Sequence, residues 1–212
     1  MKNNKETIMA KNKGKIGVLI EEHFDETEYI RFNEFFPENG YQVDYMSHLW
    51  NQESLKFNGN DHQAEATVNV EVNNVNLADY KGIILIGGYA MDRLRYEPSV
   101  KAGKPNQAPA VEFLRKAVKA MDAGNLKIGT ICHSMWLFCA DRELLKGRKV
   151  TCAHNILCDV EKAGANIIYE GEETAATHVD GNLISGRHPG VVEEFMQLFL
   201  QELDKKQKVA VG

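Results

Sequence analysis

Short strand-like runs alternate with helix-spaced segments along this chain, and that alternation restricts the fold more than any other feature. Residues 15–20 (KIGVLI), 82–86 (GIILI) and 127–131 (KIGTI) are five or six residues long and rich in apolar and β-branched side chains. Strands with near-continuous apolar runs belong to parallel sheets covered by helices on both faces. The intervening segments carry helical spacing. Residues 27–39 set Tyr29, Phe32 and Phe36 on one face with Gly40 as a stop, and residues 110–123 do the same with Val111, Leu114, Val118 and Met121. Residues 41–47 read as the second strand, 148–152 and 166–169 as strands around a helix at 155–163, and 189–203 as a last helix opened by Pro189. Asp180-Gly181 between 174–179 and 182–185 signals a hairpin. Residues 67–72 alternate as a half-exposed strand, after a polar loop at 50–66, and three prolines make 96–109 another loop. The expected architecture is α/β: one doubly wound, mostly parallel sheet with helices on both faces and a small antiparallel accessory near the C-terminal hairpin. It spans residues 14–205, between polar tails at 1–13 and 206–212.

Composition narrows the function. The 212 residues carry a formal net charge of −5 and 43% hydrophobic residues. Nucleic-acid binding would call for a basic stripe, and none is found. The lysine-rich start has no apolar core of a secretory signal, and no stretch reaches the roughly 20 apolar residues that cross a bilayer. A cytoplasmic protein without nucleic-acid or membrane partners is expected. Its four cysteines, Cys132, Cys139, Cys152 and Cys158, form no CxxC pair and are expected as free thiols.

The run 127–131 ends at Cys132, and a helix-like segment follows at once. A strand turning directly into a helix exposes its turn residue above the sheet, the geometry of a nucleophile elbow. A cysteine there would feel the positive end of the helix and its unpaired N–H groups, which lower a thiol pKa. Ligands of open parallel sheets bind beyond the carboxyl ends of the strands. That rule gathers residues 21–26 (EEHFDE), Gly87-Gly88 with Asp92, Cys132-His133 and Ala153-His154 onto one rim. Gly87-Gly88 suits either a tight turn or a bare backbone whose N–H joins that of His133 in holding an oxyanion. Asp25 also suits a helix cap. Cys139 is expected in the core. The histidines have no metal-ligand spacing and no GxGxxG follows a strand, so neither metal nor cofactor is expected.

With these residues assembled, the chain resembles the ThiJ/PfpI family, which includes PfpI-type intracellular proteases and the parkinsonism-associated deglycase. The resemblance runs from about residue 15 to 203. Its most specific element is Thr130-Ile131-Cys132-His133-Ser134, similar to the family's A-[SI]-I-C-H-G. Ile86-Gly87-Gly88 followed by Asp92-Arg93-Leu94-Arg95, then 145–151 (LKGRKVT) and 179–185 (VDGNLIS), support it. The resemblance implies a flavodoxin-like, class I glutamine amidotransferase-like fold, with Cys132 as nucleophile, His133 as its neighbouring imidazole, and Gly88 with His133 as oxyanion donors. It implies that Asp92 reaches the site of a neighbouring subunit, and hence a homo-oligomer, dimer or hexamer. The family's first-strand loop bears a protonated glutamate on the cysteine sulfur; aligning Phe24 with the family's hydrophobic residue puts Asp25 there, with Glu22 as substitute. Ser134-Met135 stands for the commoner Gly-Pro or Gly-Gln. Ala153 stands at the family's usual histidine or tyrosine, with His154 one place on.

The expected activity is a cysteine-dependent hydrolase acting on a small amide, a peptide or a glycated carbonyl adduct. The alternatives are a cofactor-independent glyoxalase acting on 2-oxoaldehydes, and a non-enzymatic oxidation sensor or stress chaperone using the same cysteine.

Overall fold

In the computed structural model, which describes residues 12–205, the chain lays down a parallel sheet from its middle outward. Strand β1 (Gly14–Leu19) leads through α1 (Glu26–Glu38) to β2 (Tyr41–Ser47). The chain then makes a small hairpin, β3 (Leu55–Asn58) with β4 (Glu65–Val68), and an edge strand β5 (Val70–Glu71). It returns as β6 (Tyr80–Leu85), followed by α2 (Ala90–Leu94), α3 (Pro109–Asp122), β7 (Lys127–Ile131) and α4 (Met135–Cys139). Beyond these come β8 (Lys149–Val150), α5 (Leu157–Lys162), β9 (Asn166–Ile167), β10 (Tyr169–Glu170), β11 (Glu173–Thr174), β12 (Thr177–Asp180), β13 (Leu183–Gly186) and α6 (Val192–Asp204).

The main sheet has the order β12-β13-β7-β6-β1-β2-β5. All neighbours are parallel except β12 and β13, joined by the expected Asp180-Gly181 hairpin. Register is set by buried pairs such as Val18 opposite Ile84 and Ile84 opposite Gly129. On one side α1 and α6 pack together, with Phe32 against Phe195 and Phe36 against Phe199. Helices α2, α3, α4 and α5 form a second connected layer, which meets the sheet where α3 packs on β7. On α3 the expected face is buried, widened by Ala110, Phe113 and Ala117.

Three expectations shift. Residues 67–72 divide between the β3–β4 hairpin and the edge strand β5, because the chain breaks at Asn69. The strand expected at 148–152 shrinks to β8, which pairs with β9 outside the main sheet. The helix after Cys132 begins only at Met135 and has five residues. Of the tails, all but residues 12 and 13 lie outside the described residues.

After β5 the chain crosses from one side of β1 to the other, so β1 and β6 flank a topological switch point. Ligand sites of such sheets lie in the crevice beyond the carboxyl ends of those strands.

Candidate active site

Cys132 leaves β7 at φ +59°, a left-handed conformation that few non-glycine residues adopt. Three bonds hold it there. Its N–H donates to the Gly186 carbonyl at 3.0 Å, its carbonyl accepts from Ala153 N–H at 3.3 Å, and the buried Ser134 Oγ accepts from Ile131 N–H at 2.7 Å. Ser134 in place of the family's glycine therefore ties the elbow internally. Backbone strain held by surrounding structure is common at reactive positions.

Gly87 and Gly88 follow β6 and come up against this elbow. A Cβ on Gly87 would sit 2.5 Å from Glu28 Oε1 and 2.7 Å from Cys132 Cβ. Gly88 takes φ +74°, and a Cβ there would sit 2.4 Å from the His23 carbonyl. Only a side-chain-free pair lets β6, α1 and the elbow meet this closely. The N–H groups of Gly88 and His133 both point at the Cys132 sulfur.

The carboxyl beside this centre is Glu28, one turn along α1 from the expected position. Residues 25–28 (DETE) have the form of a capping box, in which the fourth residue usually returns to the cap's N–H. Here the cap half forms: Asp25 Oδ1 accepts from Glu28 N–H at 3.0 Å. The return half does not, because Asp25 N–H donates to the Gly87 carbonyl at 3.2 Å. The Glu28 carboxyl turns inward instead, and Oε2 accepts from Gly87 N–H at 2.6 Å. Glu28 is fully buried, and its Oε1 has no hydrogen-bond partner among the described residues. Burial, and then the charge of Asp25, push its carboxyl well above the usual range and favour its protonated form. A protonated Oε1 is a donor lying beside Cys132.

Asp25 is the N-cap of α1, and its charge also acts on Cys132. Glu22 also turns elsewhere: it accepts from Asn58 N–H at 2.8 Å and from the Asn58 amide at 3.2 Å, fastening the β3 end to the first-strand loop. Glu28 had a sequence signal in its spacing. It precedes Phe32 and Phe36 by four and eight residues, so a carboxylate occupies the apolar stripe of α1.

Burial pushes the Cys132 thiol up, and a charged Glu28 would push it further; the N–H groups of Gly88 and His133 pull it down. The direction opposes the expectation of a depressed thiol, for two physical reasons. Cys132 is only 6% exposed, and the five-residue α4 begins three positions later, too far and too short to act as a dipole. Protonation of Glu28 removes its share of the repulsion, while the charge of Asp25 still pushes the thiol up. Burial also raises Cys139, to about 11, and Cys152, to about 12, while Cys158 is exposed.

His133 packs against the rings of Tyr89 and Trp136, with centroids 5.6 and 5.0 Å away, and those two rings also meet each other at 6.3 Å. Burial lowers its pKa, so the ring is neutral near pH 7. Its Nε2 lies 2.9 Å from Asn155 Oδ1, and its Nδ1 is buried without a partner among the described residues. His154 lies on an exposed turn and lines a cavity of about 480 Å³ together with Tyr169, Glu172, Arg187 and His188. That cavity adjoins the elbow through Ala153. Asp92 lies in α2, half-exposed and paired with Arg95 at 3.0 Å. Among the described residues no group of three His, Cys, Asp or Glu side chains is placed to hold a metal ion. No described helix is long and apolar enough to cross a membrane.

Comparison with known proteins places this arrangement. General stress protein 18 of Bacillus subtilis is 25% identical over 191 residues, 90% of this chain and 98% of its own. The ThiJ/PfpI domain protein of Brachyspira murdochii superposes with a TM-score of 0.73 at 16% identity, covering 93% of this chain and 99% of that one. A two-domain protein of Anabaena variabilis, with DJ-1/ThiJ/PfpI-like and ferritin-like domains, superposes with a TM-score of 0.75 at 23% identity, covering 94% of this chain and 52% of that one. The model of the DJ-1/PfpI family matches residues 14–202. A strained cysteine elbow, a glycine pair against it and a helix laid over both thus sit in the sheet of a known lineage, and the chain belongs to the DJ-1/PfpI family.

Proposed function

We propose that this protein is a cysteine-dependent hydrolase of small carbonyl compounds, such as amides, short peptides or glycated adducts. The observation that carries the reading is the arrangement around Cys132: a left-handed elbow with two backbone N–H groups and a buried carboxylic acid beside one sulfur. In the proposed reaction the sulfur attacks the carbonyl carbon, and the N–H groups of Gly88 and His133 bind the oxygen as it gains charge. Neutral His133 receives the thiol proton and returns it to the leaving group, and water then releases the acyl group. The cavity beside Ala153 and His154 is the space for the substrate's body.

A second reading, cofactor-independent glyoxalase chemistry, is favoured by one observation. Glu28, whose burial favours its protonated form, and neutral His133, the residue after Cys132, offer two proton-carrying groups near the elbow, which is what a hemithioacetal of a 2-oxoaldehyde needs to move a hydrogen between its carbons. We also infer a homo-oligomeric working form. Tyr89 and Tyr96 are 52% and 62% exposed on the α2 side, and Trp50 and Tyr96 line one hollow with Asp92 and Arg93. Large aromatic side chains grouped at the surface mark contact sites.

The test is a panel of amide, peptide, glyoxal and methylglyoxal substrates with wild type and Cys132→Ala. Turnover that disappears in the variant supports an enzyme, and the product separates hydrolysis from hydroxyacid formation. No turnover on any of them, with partner binding that follows oxidation of Cys132, overturns it in favour of a sensor.

A further inference from the structure

We propose a binding site for a phosphate group in the cleft between α2, α4 and α5, held by Arg95, Arg142 and Lys162. It does not depend on the reading of Cys132 as a nucleophile.

The cleft encloses about 220 Å³ and is lined by Arg95, Cys139, Arg142, Asp159, Lys162 and Ala163. Sites for drug-sized ligands run to roughly 300–1,000 Å³, so this one suits a small group. Its charge fixes the kind of group. Three cations face a single carboxylate, in a chain whose formal net charge is −5. A cleft lined by one sign of charge raises the local concentration of ions of the other sign.

Each element delivers its cation at its end. Arg95 closes α2, Arg142 lies on the turn after α4, and Lys162 is the last residue of α5. Basic side chains at helix ends ordinarily bond the last carbonyls of the helix. Arg142 does not: its side chain makes no hydrogen bond or ion pair among the described residues. Arg95 is held in place from two sides. Its Nε and Nη2 meet Asp92 at 3.1 and 3.0 Å, its Nη1 donates to the Trp136 carbonyl at 3.4 Å, and the guanidinium lies 5.9 Å from the Trp136 ring centroid. That leaves N–H groups of Arg95 to spare on a side chain already ordered. Lys162 meets the Cys158 thiol. Asp159, the one acid, is occupied: its Oδ2 accepts from Trp136 Nε1 at 3.0 Å, and its charge also acts on Lys162. A planar guanidinium holds two phosphate oxygens at once, and an ammonium adds a further charge-assisted bond.

Trp136 reports on this cleft, because Arg95 and Asp159 both touch it, and the chain has two tryptophans. In Trp50→Phe it is the sole indole. Inorganic phosphate, glycerol 3-phosphate and chloride are titrated at matched ionic strength while Trp136 emission is followed. A phosphate should give a saturable change with half-saturation at about 1 mM or below. Tighter inorganic phosphate marks the free ion as ligand, and tighter glycerol 3-phosphate marks a phosphorylated compound. Arg142→Ala and Lys162→Ala, both at exposed positions, should each weaken binding by about tenfold or more. Asp159→Asn keeps an acceptor for Trp136 and removes the opposing charge, so it should tighten binding. Phosphate should also slow alkylation of Cys139 by iodoacetamide, read by peptide mapping, and leave Cys132 unchanged. An equal response to chloride, no saturation by either phosphate, or binding that is lost in Arg187→Ala and kept in Arg142→Ala would each overturn the proposal.

Discussion

A carboxyl group in an apolar stripe governs this site at the residue scale. Glu28 makes one hydrogen bond, to Gly87 N–H, and its other oxygen is satisfied only when it carries a proton. Its pKa is raised by burial, so the folded state holds a proton that the unfolded chain releases above about 4.5. Stability from this group is full below that value and falls as pH rises towards the raised folded one. Glu28→Gln imitates the protonated form and cannot ionise. Melting temperatures at a series of pH values should therefore show the variant gaining on wild type as pH rises above about 4.5; parallel curves would mean that Glu28 is ionised in the fold. Gly88→Ala makes the complementary test. Positive φ and the 2.4 Å approach to the His23 carbonyl together should destabilise the protein by about 2–4 kcal/mol in urea unfolding.

At the scale of elements, the turn into α1 does two jobs with one four-residue signature. Asp25 caps the helix and Glu28 reaches the active site, a division that the capping pattern alone does not reveal. Asp25→Ala should cost about 1 kcal/mol of stability through loss of the cap, whereas Asp25→Asn should keep most of it. A variant pair of equal stability would remove the cap. Since the Asp25 charge also holds the Glu28 proton, Asp25→Asn should lower the pH at which Glu28 ionises. In the elbow, Ser134→Ala leaves the buried Ile131 N–H without its 2.7 Å acceptor and should cost about 1–3 kcal/mol. Cys132 would then lose the tie that holds its left-handed backbone, and its alkylation rate should change with stability.

On the scale of the whole molecule, the sheet brings the ends of β1, β6 and β7 together at the switch point, and the surface near α2 stays open. Light scattering should give a multiple of 23.9 kDa at micromolar concentration, and Tyr96→Glu should reduce it by breaking the aromatic contact. A wild-type monomer would overturn the assembly proposal.

The sequence by itself determined the parallel order of layers, the cysteine at the end of β7 and the glycine pair at the end of β6. Those features reside in local patterns: apolar runs, helical spacing, and a strand that stops at a turn. It also marked Asp25 as a cap. What only the tertiary structure decided is which carboxyl is buried beside the glycine pair, since Asp25, Glu22 and Glu28 all lie within a few residues of one another. That choice depends on Gly87 claiming the Asp25 N–H through its carbonyl, a contact 62 residues away in sequence, which frees Glu28 to turn inward. The direction of the thiol's pKa was decided the same way. A local reading saw a helix start beside Cys132, but burial is a property of the packed whole, and in a site closed to water it outweighs a short helix set three residues away.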